Sequence, residues 1–308
     1  MSRPATSRRS LDNLADLQDG VLTRAQLLEC GYDRFAIQAQ LDARRWQRAA
    51  RNVVVLHNGP LTTRQRRWVG VLSQTTAALA GVTAAHEHGL KGFDDDLVHV
   101  LVPYGARIRA ADDVVVHVSR RFNADDVCRS RLLPTVRVER ALVDAASWMR
   151  LPRKACAVLA AGVQQRLTTA SRLKPELASA QRARHHALLT YVLADIEGGA
   201  ESFGEIDLGR LARRAGLPTP KRQAFRYDRA GRRRWLDADM DGFFVEVDGA
   251  VHLRALNYWN DMDRQNDLLI VTGRPILRFS TVAIRLAPAR VMEQLAAAAA
   301  RFGNKPVC

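Results

Sequence analysis

The chain reads as a multidomain protein of α+β and α/β type, and three features of the sequence predict this. Its 308 residues exceed what one hydrophobic core usually serves, so roughly two or three domains are expected. Hydrophobic residues make up 47%, enough to build each core. Helical periodicity and β-branched runs succeed one another along the chain, as packed mixed layers require. The expected divisions are a small helical unit over 1–60, a mixed α/β middle over 61–197, and a mixed sheet flanked by helices over 198–308.

The first nine residues form a basic, polar tail in which no order is expected. Leu11, Leu14 and Leu17 then repeat at helical spacing. Thr23 with Gln26 makes a capping box that opens a second helix, and Gly31 closes it. Asp33 caps a third helix that carries Phe35, Ile37 and Leu41 among Arg34, Gln38, Gln40, Arg44 and Arg45. Val53 to Leu56 is a short strand. Three short helices and a strand within about 45 residues match a winged helix-turn-helix, whose third helix enters the major groove of DNA. Arg48 and Arg51, around Trp46, then belong to a wing that meets phosphates. A three-helix packing module with solvated arginines satisfies the same pattern.

In the middle segment, Thr62 to Ala80 reads as a helix, and Val98–Val102 and Val114–Val118 read as strands. Val138 to Met149 is an amphipathic helix with Leu142, Val143, Ala146 and Met149 on one face. Helical patterns continue from Ala155 to Ile196, with breaks expected at Thr168-Thr169 and Lys174-Pro175. His86-Glu87-His88 lacks the spacing of a zinc-protease helix, so these histidines, with His99 and His117, are expected in ordinary surface or core roles. Gly198-Gly199 marks a boundary.

Beyond it, Ser202 and Glu205 form another capping box leading into a helix from Ile206 to Ala215, ended by Gly216-Leu217-Pro218. A basic hairpin follows, with Lys221, Arg222, Arg226 and the run Arg229 to Arg234. Then come an acidic hairpin, a helix from about Trp259 through Leu268–Val271, a strand at Pro275–Phe279 and a helix from Pro288 to Arg301. That order of elements folds into an α/β layer with a mixed sheet.

The net charge is +15 and the isoelectric point about 10.7. Such an excess of cations calls for a polyanionic partner, most often nucleic acid, although a merely soluble basic protein has the same balance. Cys30, Cys128, Cys156 and Cys308 are far apart and include no Cys-x-x-Cys pair, so neither a zinc site nor a disulfide framework is indicated. There is no signal-peptide pattern and no run of about 18 apolar residues, so no membrane is expected and the cytoplasm is the simplest compartment.

The acidic hairpin is the richest stretch. Asp237 and Asp239 lie two apart, Asp241-Gly242 follows, then Phe243-Phe244-Val245, then Glu246 and Asp248 two apart. Strand residues two apart share a face, and Asp-Gly is a turn signal, so folding there gathers the acids of both strands. Buried carboxylates repel unless a cation joins them, which points to a hard, oxygen-ligated ion such as Mg²⁺. Two other readings remain open. One is a solvated acidic turn. The other is a calcium loop, with Asp237, Asp239, Asp241 and Gly242 at loop positions one, three, five and six but Asp248 where the loop's Glu belongs.

Taken together, Ser202, Glu205, Asp237, Glu246, Asp248, Gly249, His252, Asp261, Arg264 and Leu277-Arg278-Phe279 resemble a very-short-patch-repair-like (Vsr-like) endonuclease domain, a branch of the PD-(D/E)XK nuclease superfamily. The resemblance spans about residues 198–300 and implies a restriction-endonuclease-like mixed sheet. The N-terminal region, about 10–180, is similar to AbiEi-type antitoxins, most visibly in Thr135, Arg140, Leu142, Asp144 and Ala146.

Phosphodiester hydrolysis needs a water nucleophile and neutralisation of charge at the transition state, and carboxylate-held Mg²⁺ or Mn²⁺ supplies both. Asp237 and Glu246 are the expected ligands, with Glu205 binding directly or through water and the carbonyl of residue 247 as a further donor. Where the superfamily usually has a Lys, two residues after the Glu, this chain has Asp248. His252 is then the candidate acid or base, or else a structural histidine. Arg264 is a candidate cation, or a salt-bridge partner of Asp261 or Asp263. Arg232, Arg233 and Arg234 are expected to hold the DNA backbone. Two functions follow. One is a metal-dependent DNA endonuclease or nickase serving genome defence or repair. The other is a non-catalytic DNA-binding regulator or antitoxin with a toxin or defence-system partner.

Overall fold

Capping decides where the first helices begin. In the computed structural model, which describes residues 5–109, 111–128, 130–198, 203–227, 231, 233–248 and 266–303, the chain opens with α1 (Ala5–Leu17), β1 (Val21–Thr23), α2 (Arg24–Glu29) and α3 (Arg34–Asp42). The Gln26 N–H donates to Thr23 Oγ1 at 3.2 Å while Gln26 Oε1 accepts the Thr23 N–H at 2.8 Å. Asp33 Oδ1 accepts the Ala36 N–H at 2.7 Å. Helix α1 starts inside the stretch expected to be an unordered tail, because nothing from Ala5 to Ser10 breaks a helix that Leu11 anchors in the core.

Helix α3 ends at Asp42, and Arg44, at φ 52°, turns the chain before Arg45. The reversal lets Trp46 pack at 5.1 Å from Tyr32. Strands β2 (Gln47–Ala50) and β3 (Val53–Val55) follow, and the antiparallel sheet has the order β1-β3-β2. Leu11, Leu22, Leu27, Ile37 and Val54 are buried together beneath it.

The expected helix from Thr62 to Ala80 is two elements, α4 (Thr63–Leu72) and β4 (Ala78–Leu79). Gln74 stops the helix by exchanging side-chain hydrogen bonds with the backbone of Arg109, and Ala78-Leu79 then pairs with the next strand. Long-range pairing overrides helix propensity here. Next come α5 (Gly81–Glu87), β5 (Val98–Pro103), β6 (Val114–Ser119), a 3₁₀ turn at Ala124–Asp126 and α6 (Val138–Trp148). The sheet order is β4-β5-β6, with β5 and β6 parallel. Gly81, at φ 54°, is required by close approach, since a Cβ there would lie 2.3 Å from the Trp148 ring.

Residues Met1–Trp148 and Met149–Cys308 form two separate units. The second begins with α7 (Pro152–Gln164), α8 (Ala170–Ser179) and α9 (His186–Gly198). The break near Thr168-Thr169 is present, whereas Pro175 lies inside α8. Burial of Ala170, Leu173 and Leu177 holds that helix despite the hydrogen bond that proline forgoes. There follow α10 (Phe203–Arg214), β7 (Lys221–Tyr227), β8 (Arg233–Asp239), β9 (Phe244–Asp248), helical residues 266–272 (α11), β10 (Ile276–Ser280), α12 (Thr281–Leu286) and α13 (Pro288–Phe302).

The four strands form one mixed sheet, β10-β9-β8-β7, in which β10 runs parallel to β9 and the other pairs are antiparallel. Side chains of β9 alternate. Val245 and Val247 pack with Leu208, Ile284 and Leu295 of α10, α12 and α13, while Phe244 packs with Leu268 of α11. The chain thus adopts the multidomain α+β class that its sequence predicts. Among the described residues no helix is long and apolar enough to cross a membrane.

Candidate active site

The acidic hairpin forms where the sequence places it. Asp241 takes φ 65°, which aspartate tolerates, and Gly242 is demanded by packing, because a Cβ would come within 1.9 Å of the Phe302 carbonyl oxygen. Strands β8 and β9 pair at Asp239↔Phe244 and Ala238↔Val245. Past that point the Asp237 side chain continues the contact between strands, its Oδ2 accepting the Val247 N–H at 2.6 Å. Glu246 is on the Phe244 side of β9, partly buried, with Arg278 Nε of β10 3.8 Å from its Oε2. The parallel register sets Arg278 directly beside Glu246. Asp237 and Glu246 therefore lie on adjacent strands, with a guanidinium next to the glutamate.

Asp239 has a different role. It is buried, Arg226 donates to its Oδ2 at 2.5 Å, Arg274 also binds it, and the Asp241 N–H donates to Oδ1 at 2.9 Å. Both guanidinium groups also stack on the Phe244 ring, at 5.2 Å for Arg226 and 4.2 Å for Arg274. Burial alone would raise the Asp239 carboxyl. The hydrogen bonds from Arg274 and Asp241 and the two arginine charges outweigh it and hold the group below the usual carboxylate range. Asp239 is thus a structural anion at the neck of the hairpin.

The remaining expected residues are spread out. Glu205 is on α10 and Asp248 ends β9, but their side chains, like that of Arg234, lie outside the described set. His252, Asp261, Arg264 and Arg232 lie outside the described residues altogether. Arg233 is stacked 3.9 Å over Phe225, and Phe225 meets Tyr227 edge-on at 6.0 Å. These two aromatics are exposed on the edge strand β7. The cations of this hairpin are evident in the sequence as an arginine run, while its exposed aromatic pair is marked only by the Phe-Arg-Tyr alternation, in which alternate residues of an edge strand share a face.

In the first unit, Arg34, Gln38, Arg44, Arg45, Arg48 and Arg51 are all exposed. Phe35 beside them is 70% exposed under the Arg34 guanidinium, a large apolar surface for a solvated helix. Gln38 donates to Asp42 and Arg45 to Gln40, so two of the six are held by neighbours. Arg140 and Asp144 of the Thr135–Ala146 stretch belong to a buried ionic network. Arg140, 2% exposed, donates from Nε to Asp144 Oδ2 at 2.7 Å and from Nη2 to Ser119 Oγ at 3.2 Å, and Asp126 Oδ2 lies 3.5 Å from Nη1.

The histidines serve as hydrogen-bonding groups. His86 meets the Gly92 carbonyl at 2.9 Å and His88 that of Val136 at 2.8 Å. His99 bridges Asp95 at 3.0 Å and His117 at 2.9 Å, and His117 lies flat on Trp148 with ring centres 3.4 Å apart. Among the described residues no three His, Cys, Asp or Glu side chains form a metal-sized group. Burial, helped by the charge of His99, pushes His117 down from 6.5 to about 4. Because the unfolded chain takes up this proton first, stability is full above pH 6.5 and falls as pH drops toward 4. We expect His117→Phe to lessen the acid-induced loss of melting temperature in that window. The gain should be on the order of 1–2 kcal/mol after allowance for the ring's partial exposure. Identical pH dependence in thermal melts of both proteins would refute this.

No protein-family model and no curated protein sequence matches the chain. Among solved structures it is similar to the RV2827C protein from Mycobacterium tuberculosis, at 20% identity over 57% of this chain and 72% of that one, with a TM-score of 0.37.

Proposed function

We propose that the protein is a Mg²⁺- or Mn²⁺-dependent DNA endonuclease or nickase whose N-terminal unit holds the duplex. The observation that carries the reading is the placement of Asp237 and Glu246 on adjacent strands of a helix-flanked mixed sheet. Their oxygens are the hard donors such an ion prefers, and Asp237 also accepts the Val247 N–H. Bound there, the ion would polarise phosphate and water. Arg278 brings a positive charge beside Glu246 that position 248, an aspartate, does not. Its planar fork suits a phosphate oxygen as well as a carboxylate. Arg233 with exposed Phe225 and Tyr227 offers a cationic and stacking surface on the same sheet. The test is nicking of supercoiled plasmid in Mg²⁺ or Mn²⁺, with and without chelator.

The element order α1-β1-α2-α3-β2-β3 with sheet order β1-β3-β2 supports a winged-helix reading of the first unit. Arg48 lies on β2 and Arg51 at the turn into β3, where a wing meets phosphates. Arg48→Ala and Arg51→Ala should each lower duplex affinity regardless of sequence, and each should reduce the salt slope by about one. Anisotropy titrations with unchanged slopes would remove the wing from the interface.

A second reading is a DNA-binding regulator or antitoxin of the same fold, acting with a toxin or defence-system protein. The Glu246–Arg278 ion pair and the Asp237–Val247 hydrogen bond favour it, since both acids already have protein partners. Tight plasmid binding with no nicking in either metal would select this reading.

A further inference from the structure

In the first unit one large apolar side chain stands outside the core. Phe35 is 70% exposed on α3, with the Arg34 guanidinium 4.8 Å from its ring centre. A single exposed phenylalanine is ordinary, and it is the position of this one that is informative. Ile37 is buried and Leu41 partly buried on the inner face of the nine-residue helix, while the opposite face presents Phe35, Gln38, Ala39 and Asp42, all exposed. Gln38 donates to Asp42 at 2.8 Å, so the two polar members of that face bind each other toward its C-terminal end. Phe35 is the second helical residue, at the end that meets base edges in a helix-turn-helix. Arg34 is the first, where the helix dipole disfavours a cation, so helix stability does not account for it. Residues 33–51 carry five arginines against two aspartates, and none of the five pairs with a carboxylate among the described residues. A solvated ring among guanidinium groups complements a polyanion that also shows apolar groups. The DNA major groove is such a surface, with thymine C5-methyl groups between rows of phosphates.

We infer that Phe35 is a specificity-determining residue that reads thymine, its ring packing on the C5-methyl group of one base in the major groove of duplex DNA. Arg34 lies over the ring, and at 70% exposure the rest of the ring is open to the methyl group. The contact is apolar and local, so it selects a base and adds nothing to the salt dependence, whereas Arg48 and Arg51 add affinity without selecting one. The inference rests on the winged-helix reading of the first unit and is independent of the acidic hairpin and its chemistry.

The test begins with selection of bound duplexes from a random library by the full chain. The enriched duplex is then remade with each thymine replaced singly by deoxyuridine, which lacks only the C5-methyl group. Anisotropy gives the affinities of the wild type, Phe35→Ala and Arg48→Ala/Arg51→Ala. The wild type is expected to lose about three- to fivefold at one thymine, the effect of one buried methyl group. Phe35→Ala should bind the thymine duplex more weakly by about that factor, no longer distinguish the two duplexes at that position, and keep the wild-type salt slope. The wing variant should lose affinity and slope but keep the thymine preference. Phe35 is exposed, so its substitution should leave the melting temperature unchanged, and Phe35→Leu, still apolar, should retain part of the preference. Equal discrimination by the wild type and Phe35→Ala at every thymine overturns the inference. Duplex binding with no enriched sequence also overturns it while leaving the winged-helix reading in place. A wild type that binds no duplex sinks that reading and the inference with it. A change of oligomeric state in Phe35→Ala, seen by sedimentation, without a change in thymine preference would assign the ring to a contact between copies instead.

Discussion

Glu246→Gln and Asp237→Asn are each expected to lower plasmid nicking by about a hundredfold or more while duplex affinity is unchanged. A lost metal ligand removes several kcal/mol of transition-state stabilisation, of which about 2.7 kcal/mol corresponds to that factor. The amide variants are the informative ones. In Asp237→Asn the side chain would still offer a carbonyl oxygen to the Val247 N–H, and in Glu246→Gln it would still offer one to Arg278. Local contacts then persist while the anionic charge is gone. Alanine at 237 would instead strand a backbone donor between β8 and β9 and confuse loss of fold with loss of chemistry. Nicking by either amide variant at the wild-type rate would show that the acids of this hairpin do not carry the reaction. Asp239→Asn provides the contrast. It should chiefly cost stability, because Arg226 and Arg274 would lose their shared anion.

Arg140→Met is expected to destabilise the first unit by about 3–5 kcal/mol, and Asp144→Ala by a similar amount. The guanidinium of Arg140 is almost fully enclosed and distributes its donors among Asp144, Asp126 and Ser119. Removing it leaves two nearly buried carboxylates with only the more exposed Arg121, 3.9 Å from Asp144, and Arg137, 3.6 Å from Asp126, and removing Asp144 leaves an enclosed cation short of an anion. The double variant Arg140→Met/Asp144→Leu should recover much of the loss, since apolar side chains of similar volume replace the whole pair. Denaturant unfolding of the four proteins measures this. A single-variant cost below about 1 kcal/mol would mean that the network is solvated and contributes little to folding.

Features that depend on a few neighbouring residues are legible in the sequence alone. Thr23 with Gln26, and Asp33 with Ala36, start their helices as the capping pattern requires, because the donor and acceptor are three residues apart. The β-branched runs at Val98 and Val114 became strands, and Asp241-Gly242 became the turn that sets Asp237 and Glu246 on neighbouring strands. Tertiary structure decided whatever a distant partner controls. Ala78-Leu79 left its helix for a strand because β5 was there to pair with it, and Pro175 stayed in a helix because Leu173 and Leu177 were buried. It also separated acids that look alike in the sequence. Asp239 meets two arginines, one 13 and one 35 residues away, and becomes structural, while Glu246 meets Arg278 only through the parallel pairing of β9 with β10. Local backbone chemistry is encoded within one turn or one hairpin, whereas the charge around a carboxylate is a sum over everything the fold brings near it.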